Sequence, residues 1–230
     1  MNNKITAGQL IFATVYTLFW PTVMLALSGD WSWTEGWTFA AWFILMVAVI
    51  TTYLYFKDPA LLMERFRKRG TGDQKTWDNY FLFGMGIIFF CWIVIMPLDA
   101  KRFNWSTNFP QVLKFIGTGL LLLSFFFLFR SFTDNTFLSP LVRIQNEREQ
   151  RLVTTGVYGF VRHPMYLGAL LMFIGTPLLL GSYVGLVLGT IMIIFVGVRA
   201  VGEEKMLMKE FQDYETYKKK VKYRFIPFIW

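Results

Sequence analysis

The chain has 230 residues, 55% of them hydrophobic, and a formal net charge of +8; its mean hydropathy is +0.43. That balance excludes an ordinary soluble domain, which must cover its outside with polar residues. A single cysteine, Cys91, and a single histidine, His163, exclude an internal disulfide and argue against a zinc or iron site built on the usual ligands, so no metal is expected.

The first apolar run, about 8–28, is too long for a signal peptide, has only Lys4 as a basic flank, and is followed by further runs. These lie at about 36–56, 79–98, 111–130, 165–180 and 183–200, with the charges between them. A hydrocarbon core of roughly 30 Å takes about 20 apolar residues per spanning helix. The runs are continuous rather than alternating, which excludes strands. Backbone in lipid must satisfy its own hydrogen bonds, which leaves helices. The expected fold class is therefore all-α, a polytopic transmembrane helical bundle of five to six spans. Pro21 is expected to kink the first helix. The fifth run is short, carries Pro177, and joins the sixth through the turn at Gly181 and Ser182, which predicts a tight hairpin.

Positive charge alternates with the loops. Lys57, Arg65, Arg67, Lys68, Arg69 and Lys75 fall in 57–78; Arg130, Arg143, Arg148, Arg151 and Arg162 fall in 130–164; the C-terminal tail is rich in lysine. The loop 29–35 and the turn at 181–182 carry no Lys or Arg, and 99–110 has only Lys101 and Arg102. Six spans with both termini cytoplasmic satisfy the positive-inside rule at every loop and place Trp31, Trp33, Trp37 and Trp105 at the opposite interface. In a bacterium this would be the cell inner membrane. The basic excess is expected to meet membrane lipids rather than nucleic acid, because no basic stripe is interleaved with aromatics outside the interfacial loops. Beyond residue 200, Leu207, Phe211, Tyr214 and Val221 recur at helical spacing among lysines, which predicts a cytoplasmic amphipathic helix over 201–221.

The predicted hairpin brings residues 156–168 close to 199–204. In the first stretch, Pro164 suits the first position of a helix and puts His163 at its N-cap, an end hospitable to anions beside Arg162; an ordinary capped end is the other reading. In the second, Arg199 and Glu203 stand four apart and Glu203 and Glu204 are adjacent. The reading without chemistry is a surface pair. The reading with chemistry is that Arg199 neutralises one carboxylate while the other faces a ligand. Tyr214 and Tyr217 read as packing residues, or as aromatic faces for a cation. Asp134 and Arg130 are expected to be solvated.

The residues from Thr155 to Gly168, the Arg199-x3-Glu203-Glu204 pattern, the Tyr214-x2-Tyr217-Lys-Lys-Lys-Val221 run and the Arg224-Phe-Ile-Pro227 ending, in this order, resemble the isoprenylcysteine carboxyl methyltransferase family of integral membrane enzymes, especially its shorter prokaryotic members. A weaker match is Asp58 to Arg65, with Gly72, Asp73 and Trp77 after it. The resemblance implies a single methyltransferase domain, with four membrane helices in 1–131 and a cofactor-binding catalytic half in 154–230. It implies S-adenosylmethionine as methyl donor, held by Val157, Tyr158, His163, Tyr166, Leu167, Gly168, Glu203 and Glu204, with Arg199, Tyr166 and Glu204 as the catalytic set and Arg199 on the substrate carboxylate. The implied acceptor is a lipophilic or prenylated molecule entering from the bilayer, and the implied reaction carboxyl O-methylation of an isoprenylcysteine-like substrate. The related phospholipid N-methyltransferase activity is the first alternative. An NADPH-dependent membrane reductase with a similar His-Pro-x-Tyr half comes next. A transporter or structural membrane protein comes last, because the spans are almost free of charge.

Overall fold

The computed structural model describes residues 5–68, 70 and 74–230; Lys4, Arg69, Gly72 and Asp73, which entered the charge and motif readings, lie outside them. Among the described residues eight α-helices follow one another: α1 Ala7–Ser28, α2 Thr34–Lys57, α3 Pro59–Arg65, α4 Thr76–Pro97 with a π-helical turn Leu98–Arg102 at its end, α5 Gln111–Asp134, α6 Pro164–Leu180, α7 Tyr183–Glu210 and α8 Tyr214–Lys220. Five are long and apolar enough to cross a membrane: α1, α2, α4 with its π turn, α5 and α7. The chain is an all-helical integral membrane protein. At 17 residues, α6 is about 25 Å long, shorter than a hydrocarbon core.

Local chemistry sets the boundaries. Thr6 and Gln9 form a reciprocal capping box at the start of α1, and Gly29, at φ 72°, ends it in the left-handed conformation. Asp58 caps α3 by accepting from Leu61 N at 3.0 Å, with Pro59 in the first turn; this short helix interrupts what the sequence reads as an uninterrupted loop. The stretch 201–221 is divided. No Pro or turn cluster follows residue 200, so α7 continues as one helix to Glu210, and only then does the chain break before α8. Trp33 is buried against Gly36 at the start of α2, whereas Trp31, Trp37 and Trp105 are exposed as interfacial aromatics should be.

Between helices in lipid no hydrophobic force operates, so close backbone approach and hydrogen bonds carry the packing. The α5–α6 pair is the clearest case. A Cβ on Gly117 would stand 2.4 Å from Leu179 N, and one on Gly168 would stand 2.8 Å from Leu128 Cγ. Ser124 Oγ donates to Gly168 O at 2.8 Å, and Trp42 Nε1 reaches Leu121 O at 2.8 Å. The α6–α7 hairpin closes on Gly189, whose Cβ would meet Phe173 O at 2.3 Å. At the turn of that hairpin, buried Asp99 Oδ2 accepts from Ser106 Oγ (2.7 Å), Ser182 Oγ (2.6 Å) and Val184 N (3.2 Å). The hairpin is therefore pinned at its turn, and its open end is free to carry the polar residues of the site.

Gly117→Ala should lower stability by about 1–3 kcal/mol through overpacking, whereas Gly119→Ala, with no atom near its Cβ, should be neutral or stabilising by up to about 1 kcal/mol. Denaturant unfolding of the two variants in detergent micelles measures the contrast.

Candidate active site

At the open end of the hairpin, the segment 135–163 folds back over the ends of α4, α5, α6 and α7. Three acidic side chains tie it down. Asp134, at the last turn of α5, accepts from Val157 N at 2.9 Å, and Gly156 takes φ 60° where a Cβ would collide with that carboxylate. Asp134 is thus nearly buried and also pairs with Arg130 at 2.8 Å, rather than being solvated. Asp78, fully buried in the first turn of α4, accepts from Val142 N at 2.9 Å. Glu64, on α3, accepts from Arg143 Nε at 2.9 Å and Ser139 Oγ at 2.7 Å, and Arg143 also holds Glu147. Arg143 pulls the Glu147 carboxyl down to about 2. Burial alone would raise Glu64, but the bonds from Arg143 and Ser139 outweigh it and hold its carboxyl below the usual range.

Under this segment lies a cavity whose empty space, its open mouth included, is about 830 Å³. Tyr158, His163, Tyr166, Arg199 and Glu203 line it, with Tyr214 and Tyr217 as further aromatic walls. Pro164, which has no N–H, opens α6 with His163 at the N-cap; Tyr166 N and Leu167 N donate to His163 O at 3.0 and 3.2 Å, so in the first turn the N–H without an acceptor among the described residues is that of Met165, which lines the cavity. The His163 ring stacks on Tyr166, centroids 5.2 Å apart and 9° from parallel. Tyr166 Oη donates to Glu203 Oε2 at 2.7 Å, so the contact expected between the two arms of the hairpin is made. Tyr217 Oη donates to Tyr158 O at 2.7 Å and braces the turn before α6. Burial pushes the Tyr158 and Tyr217 hydroxyls well above the ordinary phenol range, so both remain protonated donors.

The two adjacent glutamates have different surroundings. Glu204 is 2% exposed, and both its oxygens are taken. Arg162 Nε lies 2.7 Å from Oε1, and Arg224 Nε lies 2.9 Å from Oε2. His163 Nε2 stands 3.3 Å from Oε1 without making a hydrogen bond of good geometry. Arg162 also donates to the carbonyls of Val221 and Lys222, both at 2.7 Å, while Arg162 N and His163 N bond to Tyr223 O and Arg224 O. Glu203 is partly exposed in the cavity, and no arginine or lysine among the described residues pairs with it. Arg199 does not neutralise either glutamate. Its Nε binds Asp78 Oδ1 at 2.8 Å and its Nη2 binds Pro140 O at 2.7 Å, which leaves Nη1 without a hydrogen bond among the described residues, on a side chain that lines the cavity.

The other expected contacts sit elsewhere. Val157 and Leu167 are buried outside the lining, Gly168 faces α5, and Glu204 lies behind His163 in its ion cluster. Sequence reasoning missed Asp78, Glu64 and Arg143. Asp78 carried a signal, an acidic residue opening an apolar span; the partnership of Glu64 with Arg143 joins residues 79 apart and leaves no local pattern.

A family model described as phospholipid methyltransferase matches residues 112–214. The chain is 26% identical over 206 residues to a protein-S-isoprenylcysteine O-methyltransferase of Schizosaccharomyces pombe, covering 81% of this chain and 86% of that protein. It is 28% identical over 139 residues to protein-S-isoprenylcysteine O-methyltransferase B of Arabidopsis thaliana, covering 60% of this chain and 66% of the relative. To a Saccharomyces cerevisiae protein of the same name it is 42% identical over 93 residues, 40% of this chain and 38% of the relative.

Glu204→Gln should be strongly destabilising, by about 3–5 kcal/mol, because it leaves two arginines short of a counter-charge, whereas Glu203→Gln should unfold close to wild type. Thermal unfolding of both, side by side, checks this. Glu64 and Glu147 are depressed carboxyls, so their stabilisation is full above about pH 4.3 and is lost as pH falls toward 2 for Glu147. The Tm of wild type should therefore fall more steeply between pH 5 and 2 than that of Glu147→Gln, which has no proton to take up at that position.

Proposed function

We propose that this chain is an S-adenosylmethionine-dependent integral membrane methyltransferase that esterifies the carboxylate of an isoprenylcysteine-like lipophilic acid. The named relatives and the family model support methyl transfer at a membrane; they are eukaryotic, and the closer likeness to short prokaryotic members remains part of this proposal. The observation that carries the site is the convergence of Glu203, Tyr166, His163 and Arg199 on one cavity, with Glu203 paired to no arginine or lysine among the described residues.

The residues suit the donor's groups. Glu203 offers a carboxylate to an ammonium or to ribose hydroxyls, the Met165 N–H at the start of α6 offers a donor to a carboxylate, and the tyrosine walls offer faces to a sulfonium. When bound, S-adenosylmethionine supplies an electrophilic methyl group and leaves as the neutral thioether. Arg199 Nη1 is placed to hold the acceptor carboxylate, with Asp78 and Pro140 O fixing the guanidinium. A carboxylate is already nucleophilic at neutral pH, so alignment and exclusion of water carry the rate and no general base is required. We assign Glu204 to positioning His163 and Arg162 and Glu203 to donor contact. Residues 1–131 then form the membrane scaffold and 154–230 the donor half, with the cavity and both termini on the cytoplasmic side, at the inner membrane in a bacterium.

The match to the phospholipid methyltransferase model favours a second reading, N-methylation of an ethanolamine lipid. An amine must lose a proton first, and Glu203, with Tyr166 hydrogen-bonded to it, is the group positioned to take it.

S-adenosylmethionine and S-adenosylhomocysteine should bind the detergent-purified protein saturably, NADPH should not, and Glu203→Gln should weaken donor binding at least tenfold, about 1.4 kcal/mol. No binding to folded protein would overturn the assignment. Farnesylcysteine offered beside phosphatidylethanolamine separates the two acceptors. Arg199→Lys, which loses the planar fork, should raise KM for a carboxylate acceptor far more than for an amine.

A further inference from the structure

We propose that the groove between the start of α4 and the outer end of α7 is a binding site for an anionic phospholipid. The groove lies on the outside of the bundle, beside the cavity, and encloses about 1,180 Å³, its open face included. Its floor is apolar. The Trp77 ring lies on Gly202, where a Cβ would meet the ring at 2.7 Å, and its outer face remains exposed. Val198 and Val201 continue the floor along α7.

The polarity of the groove runs in one direction. Val198, Val201, Lys205 and Lys209 stand at i, i+3, i+7 and i+11, so they form one stripe of α7. Val198, 64% exposed, belongs to the apolar part of α7, and Lys205 is about 10 Å further along the axis. Lys75, just before α4, joins the two lysines from the other wall. Unlike Lys101, Lys114 and Lys218, the ammonium groups of Lys75, Lys205 and Lys209 have no carboxylate partner among the described residues. Against them, among the described residues that line the groove, stands the Glu210 carboxylate. Lys205 and Lys209, four apart on one helix, also repel each other. An apolar tail along Val198, Val201 and Trp77 with an anion at the three lysines is the chemistry that matches this gradient, and an anionic phospholipid in the adjacent leaflet supplies both. Met206 lines the groove and the cavity alike, so the lipid would sit one side chain away from the site.

The test needs no methyl donor or donor product, so its failure is separate from failure of the methyltransferase reading. The protein is placed in phosphatidylcholine vesicles with increasing brominated phosphatidylglycerol, and the share of quenching due to Trp77 is taken from the difference between wild type and Trp77→Phe. That share should saturate at a mole fraction on the order of tenfold lower than with brominated phosphatidylcholine. In Lys75→Gln/Lys205→Gln/Lys209→Gln the preference should vanish while the thermal unfolding midpoint, as the check of fold, stays that of wild type. Equal quenching by the two brominated lipids in wild type overturns the proposal. So does a preference that survives the triple substitution, or a Trp77 share displaced by farnesylcysteine rather than by phosphatidylglycerol.

Discussion

The Glu204 carboxylate is the interaction on which the site depends. It sits at the end of a hydrophobic span, is fully enclosed, and gathers Arg162 from the turn before α6 and Arg224 from the C-terminal segment. A buried charge without partners costs far more than any single contact returns, so the cluster forms with all its members or not at all. Because the two arginines come from different parts of the chain, satisfying one carboxylate fixes the N-terminus of α6, the C-terminal half of α7 and the last ten residues against one another. His163 and Tyr166 inherit their positions from that arrangement. The C-terminal segment completes it: Phe225 is buried in the core and Arg224 lies over the Trp230 ring at 4.5 Å.

A second buried pair does the same on the opposite wall. Asp78 takes hydrogen bonds from Arg199, Val142 N and Gln74. One carboxylate thereby orients the cavity's arginine and anchors the covering segment to α4. Arg199 is held on one side and open on the other, which is how a guanidinium can be both rigid and available. Neither wall, among the described residues, places a lysine or arginine on Glu203, so the cavity offers a carboxylate held only by Tyr166 and His163, while the guanidinium groups of Arg199 and Arg151 lie elsewhere in its lining. That division suits a ligand pair with opposite charges, a cationic donor and an anionic acceptor.

The membrane explains the rest of the architecture. The α6 helix is too short to need lipid on both ends, and its polar N-terminus is sheltered by the segment 135–163 rather than by solvent. The side of α7 that does not face the cavity is lipid-exposed, as at Val198 and Ile194. One helix therefore presents its site residues inward and an amphiphile-shaped stripe outward.

The sequence by itself determined the helical class, the six apolar segments, the hairpin at Gly181 and Ser182, and the meeting of residues 156–168 with 199–204, because hydropathy, period and turn chemistry are local properties that lipid enforces. It also determined which residues to suspect, since Arg162, His163, Tyr166, Arg199, Glu203 and Glu204 are polar groups at the edges of apolar runs. Only the tertiary structure decided how these divide their roles. Glu203 and Glu204 are chemically identical neighbours, but successive helical residues point about 100° apart, so one enters the ion cluster and the other the cavity. Arg199 could reach Glu203 along its own helix and instead binds Asp78, on α4, because the cross-helix partner is fully buried and needs the charge. The pairing of Glu64 with Arg143 and the division of 201–221 into two helices likewise depend on which distant surfaces meet, and no local pattern encodes that.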